Sequence, residues 1–121
     1  MKTLYSFRET KSFTKDVASL LTDENYFAFQ SYLQENVFIG DVIPGGGGLR
    51  KIRWRVDTKG KRGGVRIIYY FASRKGYIYL LAIYSKSRKT DLDKEQVKQL
   101  AKQVEEWLRL TKKISTICLK A

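Results

Sequence analysis

From Leu49 to Tyr84 the hydrophobic period of the chain is two, held through three successive runs, and that pattern leaves little besides an antiparallel meander. In the first run Ile52, Trp54 and Val56 alternate with Lys51, Arg53 and Arg55, as in a half-buried strand with one cationic face. The second, Val65 to Phe71, is apolar on both faces apart from Arg66, so it belongs in the middle of a sheet. The third, Tyr77 to Tyr84, has the same character and follows Gly76, which marks a turn to an antiparallel neighbour.

Outside this stretch the period is helical. Leu4, Tyr5 and Phe7 make a short apolar start suited to an edge strand, and Phe13, Val17, Leu20 and Leu21 then predict a helix over about 9–21. Asp23 is a candidate N-cap for a second helix, which carries Tyr26, Phe29 or Gln30, Leu33 and Val37 and ends before Gly40. GDVIPGGGGL, Gly40 to Leu49, reads as a mobile connector. Asp93 with Gln96 has the form of a capping box, and Val97, Leu100, Val104, Trp107 and Leu108 predict an amphipathic third helix. The order β-α-α-β-β-β-α describes an α+β class: a small antiparallel sheet with two N-terminal helices and one C-terminal helix. A chain of 121 residues suits one such domain. With no apolar run of bilayer length, a cytoplasmic location without membrane contact is expected.

Charge points to function. The chain carries a formal net charge of +12, and residues 50–89 hold thirteen Lys or Arg against one acid, Asp57, so the excess sits entirely on the strands and their turns. A local excess of this kind fits a polyanion-binding face. The third helix is about neutral, which disfavours a helix-turn-helix DNA reader and a basic membrane-surface helix. With no histidine and the single Cys118, a zinc site lacks its usual ligands. The acids are scattered, so neither a metal nor a cofactor is expected.

Three features carry the candidate chemistry. GGGGLRK lacks the spacing of a phosphate-binding P-loop. In KGKRGG, Lys59 to Gly64, glycines allow close backbone approach while Lys59, Lys61 and Arg62 reach outward, either to a nucleic acid or simply into solvent as an edge-protecting turn. Arg66 lies inside an apolar strand, where a guanidinium needs a partner; Asp57, a helix carboxylate or a bound phosphate would each serve. Tyr84 and Lys86 leave the neighbouring strand near the height of Arg66. Tyr69, Tyr70, Tyr77 and Tyr79 could stack on bases, but at strand spacing most belong to the core.

Read together, GDVIPGGGGLRKIRW, KGKRGGVRIIYYF and YLLAIYSKSRKTDL resemble the RelE/HigB superfamily of toxin-antitoxin toxins, particularly its HigB-like branch, over about residues 1–110. Residues 111–121 then form a C-terminal tail that need not be ordered. The resemblance implies a microbial-RNase-like fold and a ribosome-dependent endonuclease that cuts mRNA in the 30S A site. It also implies a cognate antitoxin, often with a helix-turn-helix domain, through which alone operator DNA would be reached. Carried over by position, the family's active residues fall on Lys59, Lys61, Arg66 and Lys86. The catalytic tyrosine of some members falls near Leu92, which cannot transfer a proton, leaving Tyr84 as a candidate without a matching position.

Cleavage by the RNA's own 2′-hydroxyl needs a base, a phosphorane stabiliser and an acid. Crowded cations lower a lysine pKa from its ordinary value of about 10.4, so Lys59 or Lys61 is the candidate base. Arg66 then binds the phosphorane, and Lys86 with Arg62 holds flanking phosphates or protonates the leaving group. Arg50, Lys51, Arg53, Arg55, Arg88 and Lys89 complete the expected RNA-binding set. The reading from another class is a non-catalytic RNA- or ribosome-binding module on the same basic sheet.

Overall fold

The computed structural model describes residues 4–56, 64–85 and 92–120, with 111–120 described by backbone alone. The elements run β1 (Ser6–Glu9), α1 (Lys11–Leu20), α2 (Asp23–Glu35), β2 (Asp41–Val42), β3 (Arg50–Arg55), β4 (Gly64–Ala72), β5 (Tyr77–Ser85) and α3 (Lys94–Lys120). They form one sheet in the order β1-β5-β4-β3-β2, with the apolar β4 at its centre as its composition requires. The pairings β2–β3, β3–β4 and β4–β5 are antiparallel, whereas β1 lies parallel to β5. The α+β class therefore stands, but the sheet is mixed where a wholly antiparallel one was expected.

Alternation sorts the strands into two cores. On one face Ile52, Val65, Ile67, Tyr69, Ile78, Leu80 and Ile83 meet Phe13, Val17 and Leu21 near α1 and Phe29 and Leu33 of α2. On the other, Leu49, Ile68 and Leu81 meet Val97 and Val104 of α3. A register shift between Ile68 and Tyr69 fits both faces, since Ile68 opposes Ala82 while Tyr69 opposes Leu80.

The helix ends follow hydrogen-bond chemistry. Thr10 caps α1 by accepting from the Phe13 N–H (3.0 Å), and its hydroxyl donates to the Leu81 carbonyl (2.9 Å), tying the helix start to β5. Thr10→Val keeps the shape but removes both bonds, so it is expected to lower stability by about 1–2 kcal/mol in urea unfolding, with Thr10→Ser close to the parent protein. The N-cap of α2 is Thr22, whose side chain accepts from the Asn25 N–H at 3.1 Å. Asp23, the expected cap, is instead the first helical residue, where its charge complements the helix dipole. The reciprocal capping box before α3 forms as the spacing requires, Gln96 N–H to Asp93 Oδ1 at 2.8 Å and Asp93 N–H to Gln96 Oε1 at 3.0 Å.

One segment differs from expectation. GDVIPGGGGL is no loose connector but a hairpin, β2 returning to β3 through bonds from Ile43 N–H to Leu49 O (2.9 Å) and Gly46 N–H to Ile43 O (3.0 Å). Gly48, at φ +106°, lets the chain pass Tyr70, whose ring would lie 2.9 Å from an added Cβ. The backbone of α3 continues past residue 110 to Lys120, since no glycine or proline follows Lys94 to stop it.

Candidate nucleic-acid interface

The site grows from the register of three strands. Directly opposed residues share a sheet face, and Arg53 opposes Arg66, which opposes Tyr84. These three side chains therefore form a row across β3, β4 and β5, on the face that α3 partly covers. Along β3 the same face carries Lys51 and Arg55, two residues to either side of Arg53. Lys51 shares a row with Ile68 and Ala82, at the edge of the α3 core, and is half-buried; Arg53 and Arg55 are exposed. The cations thus begin where the apolar cover of α3 ends.

Arg66 is the unusual member. It is 8% exposed, and its Nη1 is buried without a hydrogen-bond partner among the described residues. Its cross-strand neighbour on β3 is another guanidinium, an unfavourable pairing of like charges. A phosphate oxygen placed between Arg53 and Arg66 would offset the like-charge pairing.

Of the expected catalytic residues, the structure brings Arg66 and Tyr84 together; Lys59, Lys61 and Lys86 lie outside the described residues, as do Arg62, Arg88, Lys89 and Asp57. Of the expected RNA-binding set, Lys51, Arg53 and Arg55 join the Arg66 face. Arg50 does not. It has the parity of Ile52 and Trp54, and its Nη1 donates to the carbonyls of Gly40 (2.8 Å) and Phe38 (3.1 Å) while the guanidinium lies over the Phe38 ring. Leu92, at the position of the family's catalytic tyrosine, packs at the rim of the α3 core with Tyr84. Tyr69 and Tyr79 are buried, as strand spacing suggested. The glycine hairpin sits beside Tyr70, near the Leu49 end of β3 and away from Arg66. Among the described residues no group of three or more His, Cys, Asp or Glu side chains gathers to hold a metal, and no helix is long and apolar enough to cross a membrane.

What sequence reasoning missed is the opposition of Arg53 and Arg66 and, one row further, of Arg55 and Gly64. Alternation alone places Arg53 on the right face, but only the register makes it the partner of Arg66.

Fold and row together define a small α+β protein with guanidinium groups concentrated on one sheet face. The family model of the RelE toxin of the RelE/RelB toxin-antitoxin system matches residues 8–119, and the chain belongs to that toxin family. Among solved structures, an arginine-to-alanine double mutant of E. coli toxin RelE in the free state superposes with a TM-score of 0.56 at 14% identity, covering 83% of this chain and 96% of that one. At that identity the likeness concerns the fold.

Proposed function

We propose that this toxin is a metal-independent endoribonuclease of the HigB-like branch that cleaves mRNA in the ribosomal A site, in the cytoplasm, until a cognate antitoxin with a helix-turn-helix domain silences it. The observation that carries this reading is the buried Arg66, with a bare Nη1, set against Arg53 on a strand otherwise made for the core.

In the proposed reaction the 2′-oxygen forms a bond to phosphorus as its proton passes to a base, and the bond from phosphorus to the 5′-oxygen breaks as that oxygen gains a proton. The products are a 2′,3′-cyclic phosphate and a free 5′-hydroxyl, with no co-reactant. Arg66 and Arg53 hold the equatorial oxygens as negative charge develops. Tyr84, in the same row, is a candidate for proton transfer in place of the residue that Leu92 cannot supply. Lys59 or Lys61 as base and Lys86 with Arg62 at flanking phosphates complete the proposal. A loosely tuned set of this kind gains most from a ribosome that fixes the message in an attack geometry.

Inducible expression followed by mapping of mRNA 5′ ends tests the reading. Cuts phased to the reading frame of translated messages are expected, and Arg66→Ala should remove them while ribosome binding falls only modestly. Unphased cuts overturn ribosome dependence. Binding lost in proportion to activity would instead favour a non-catalytic ribosome-binding module.

A further inference from the structure

The row through Arg66 shows where one phosphate would sit but not how a strand would run, and β3 supplies the ruler. Same-face residues along a strand are about 6.8 Å apart, so Lys51, Arg53 and Arg55 form a ladder of cations at that repeat. One nucleotide of an extended single strand covers a comparable step. The crosswise direction, from Arg53 through Arg66 to Tyr84, advances only about 4.8 Å per strand. That step is short for successive phosphates, and the direction ends on an uncharged phenol.

The cross-strand neighbours grade the ladder. At Lys51 the adjoining row is Ile68 and Ala82, against the α3 core, which makes a wall. At Arg53 the neighbour is a second guanidinium, Arg66. At Arg55 the neighbour is Gly64, where no side chain stands. That gap is built in, because a Cβ on Gly64 would lie 2.6 Å from the Trp54 carbonyl oxygen. Among the described residues the ladder therefore has a closed end at Lys51, a doubled cation in the middle and no opposing side chain at Arg55.

We propose that single-stranded RNA lies lengthwise along β3 with three successive phosphates on Lys51, Arg53 and Arg55, and that the middle one, shared by Arg53 and Arg66, is the phosphate attacked. The path stands on the register alone; the identity of the attacked phosphate rests on the nuclease reading above.

A tetranucleotide has three internucleotide phosphates, one per rung. The test measures binding of 2′-O-methyl tetrauridylate, which cannot be cleaved, with one phosphate at a time replaced by neutral methylphosphonate, to the parent protein and to Lys51→Gln, Arg53→Gln and Arg55→Gln variants. Each variant is expected to reduce the slope of log K against log salt by about 0.7. Neutralising the middle phosphate should weaken the parent most and Arg53→Gln least. Each terminal phosphate should become silent in one variant only, Lys51→Gln for one end and Arg55→Gln for the other. Equal losses at all positions in all proteins, coupling of Lys51 and Arg55 to the same phosphate, or no binding at low salt would overturn the path. The nuclease reading fails separately, by the absence of in-frame cuts, and that failure would leave the three-rung coupling intact.

Discussion

Arg66→Met is expected to silence the toxin and at the same time make the folded protein harder to unfold. Arg66 is 8% exposed, its Nη1 has no hydrogen-bond partner among the described residues, and its cross-strand neighbour on β3 is Arg53. A buried donor left bare costs about 1–3 kcal/mol, and a like charge directly opposite adds up to about 1 kcal/mol. Methionine keeps an unbranched, flexible side chain at this position without either penalty. The variant should gain about 1–3 kcal/mol, a rise in melting temperature of roughly 4–12 °C for a domain of this size. If the toxin is the nuclease proposed, cleavage on ribosomes should fall at least about 100-fold, the loss typical of removing one donor to a developing oxyanion. Arg66→Lys retains the charge but not the two-pronged geometry, and should lie between in activity. Thermal unfolding followed by circular dichroism, alongside growth arrest on induction, reads both halves. A melting temperature that drops in Arg66→Met would mean the guanidinium stabilises the folded protein, and the stored-charge account would be wrong.

The same residue shows how far local pattern reaches. The meander was legible because Val65 to Phe71 and Tyr77 to Tyr84 are too apolar for anything but central strands, and Arg66 stood out as a charge that this setting does not favour. The third helix announced itself through Asp93 and Gln96, two residues whose groups bond reciprocally within one turn. What escaped is non-local or too short to have a period. The parallel pairing of Ser6–Glu9 with β5 joins segments some seventy positions apart and leaves no trace in either run. Asp41–Val42 is a two-residue strand, and alternation over two residues says nothing. The opposition of Arg53 to Arg66 depends on how many residues the intervening turn takes up. Arg50 was grouped with the other cations by charge, though its parity sets it with Ile52 and Trp54, and there it serves the fold.

That structural role leads to the largest expected loss of stability among polar substitutions, Tyr69→Phe. The Tyr69 ring is fully buried, and its hydroxyl donates to the Val37 carbonyl (2.9 Å) and accepts from the Gly40 N–H (2.9 Å). Arg50 holds the same Gly40 through its carbonyl, so both side chains pin the chain leaving α2 to the sheet. Gly40 is small because Tyr69 leaves no room; an added Cβ would lie 2.8 Å from the ring. Phenylalanine keeps the packing but leaves two backbone groups bare, and a loss of about 2–4 kcal/mol is expected by urea unfolding. Arg50→Met should cost less, with a double-mutant coupling of about 0.5 kcal/mol or more, since both contacts hold one residue. Alkaline pH gives an independent check. Burial pushes the Tyr69 phenol above its ordinary value of 10.0, against the opposing Gly40 N–H and Arg50 charge. The folded state therefore keeps this proton where the unfolded chain releases it, so the contribution is intact below pH 10.0 and is lost as pH rises through the folded value. Tyr26, raised by burial and by its hydrogen bond to Glu9, acts in the same direction and remains in the variant. Tyr69→Phe should thus flatten the alkaline decline in stability without abolishing it. Because this clamp lies on the α1–α2 face and Arg66 on the other, activity per folded molecule should be unchanged. A variant that stays stable but stops cutting would show that the two faces are coupled through β4.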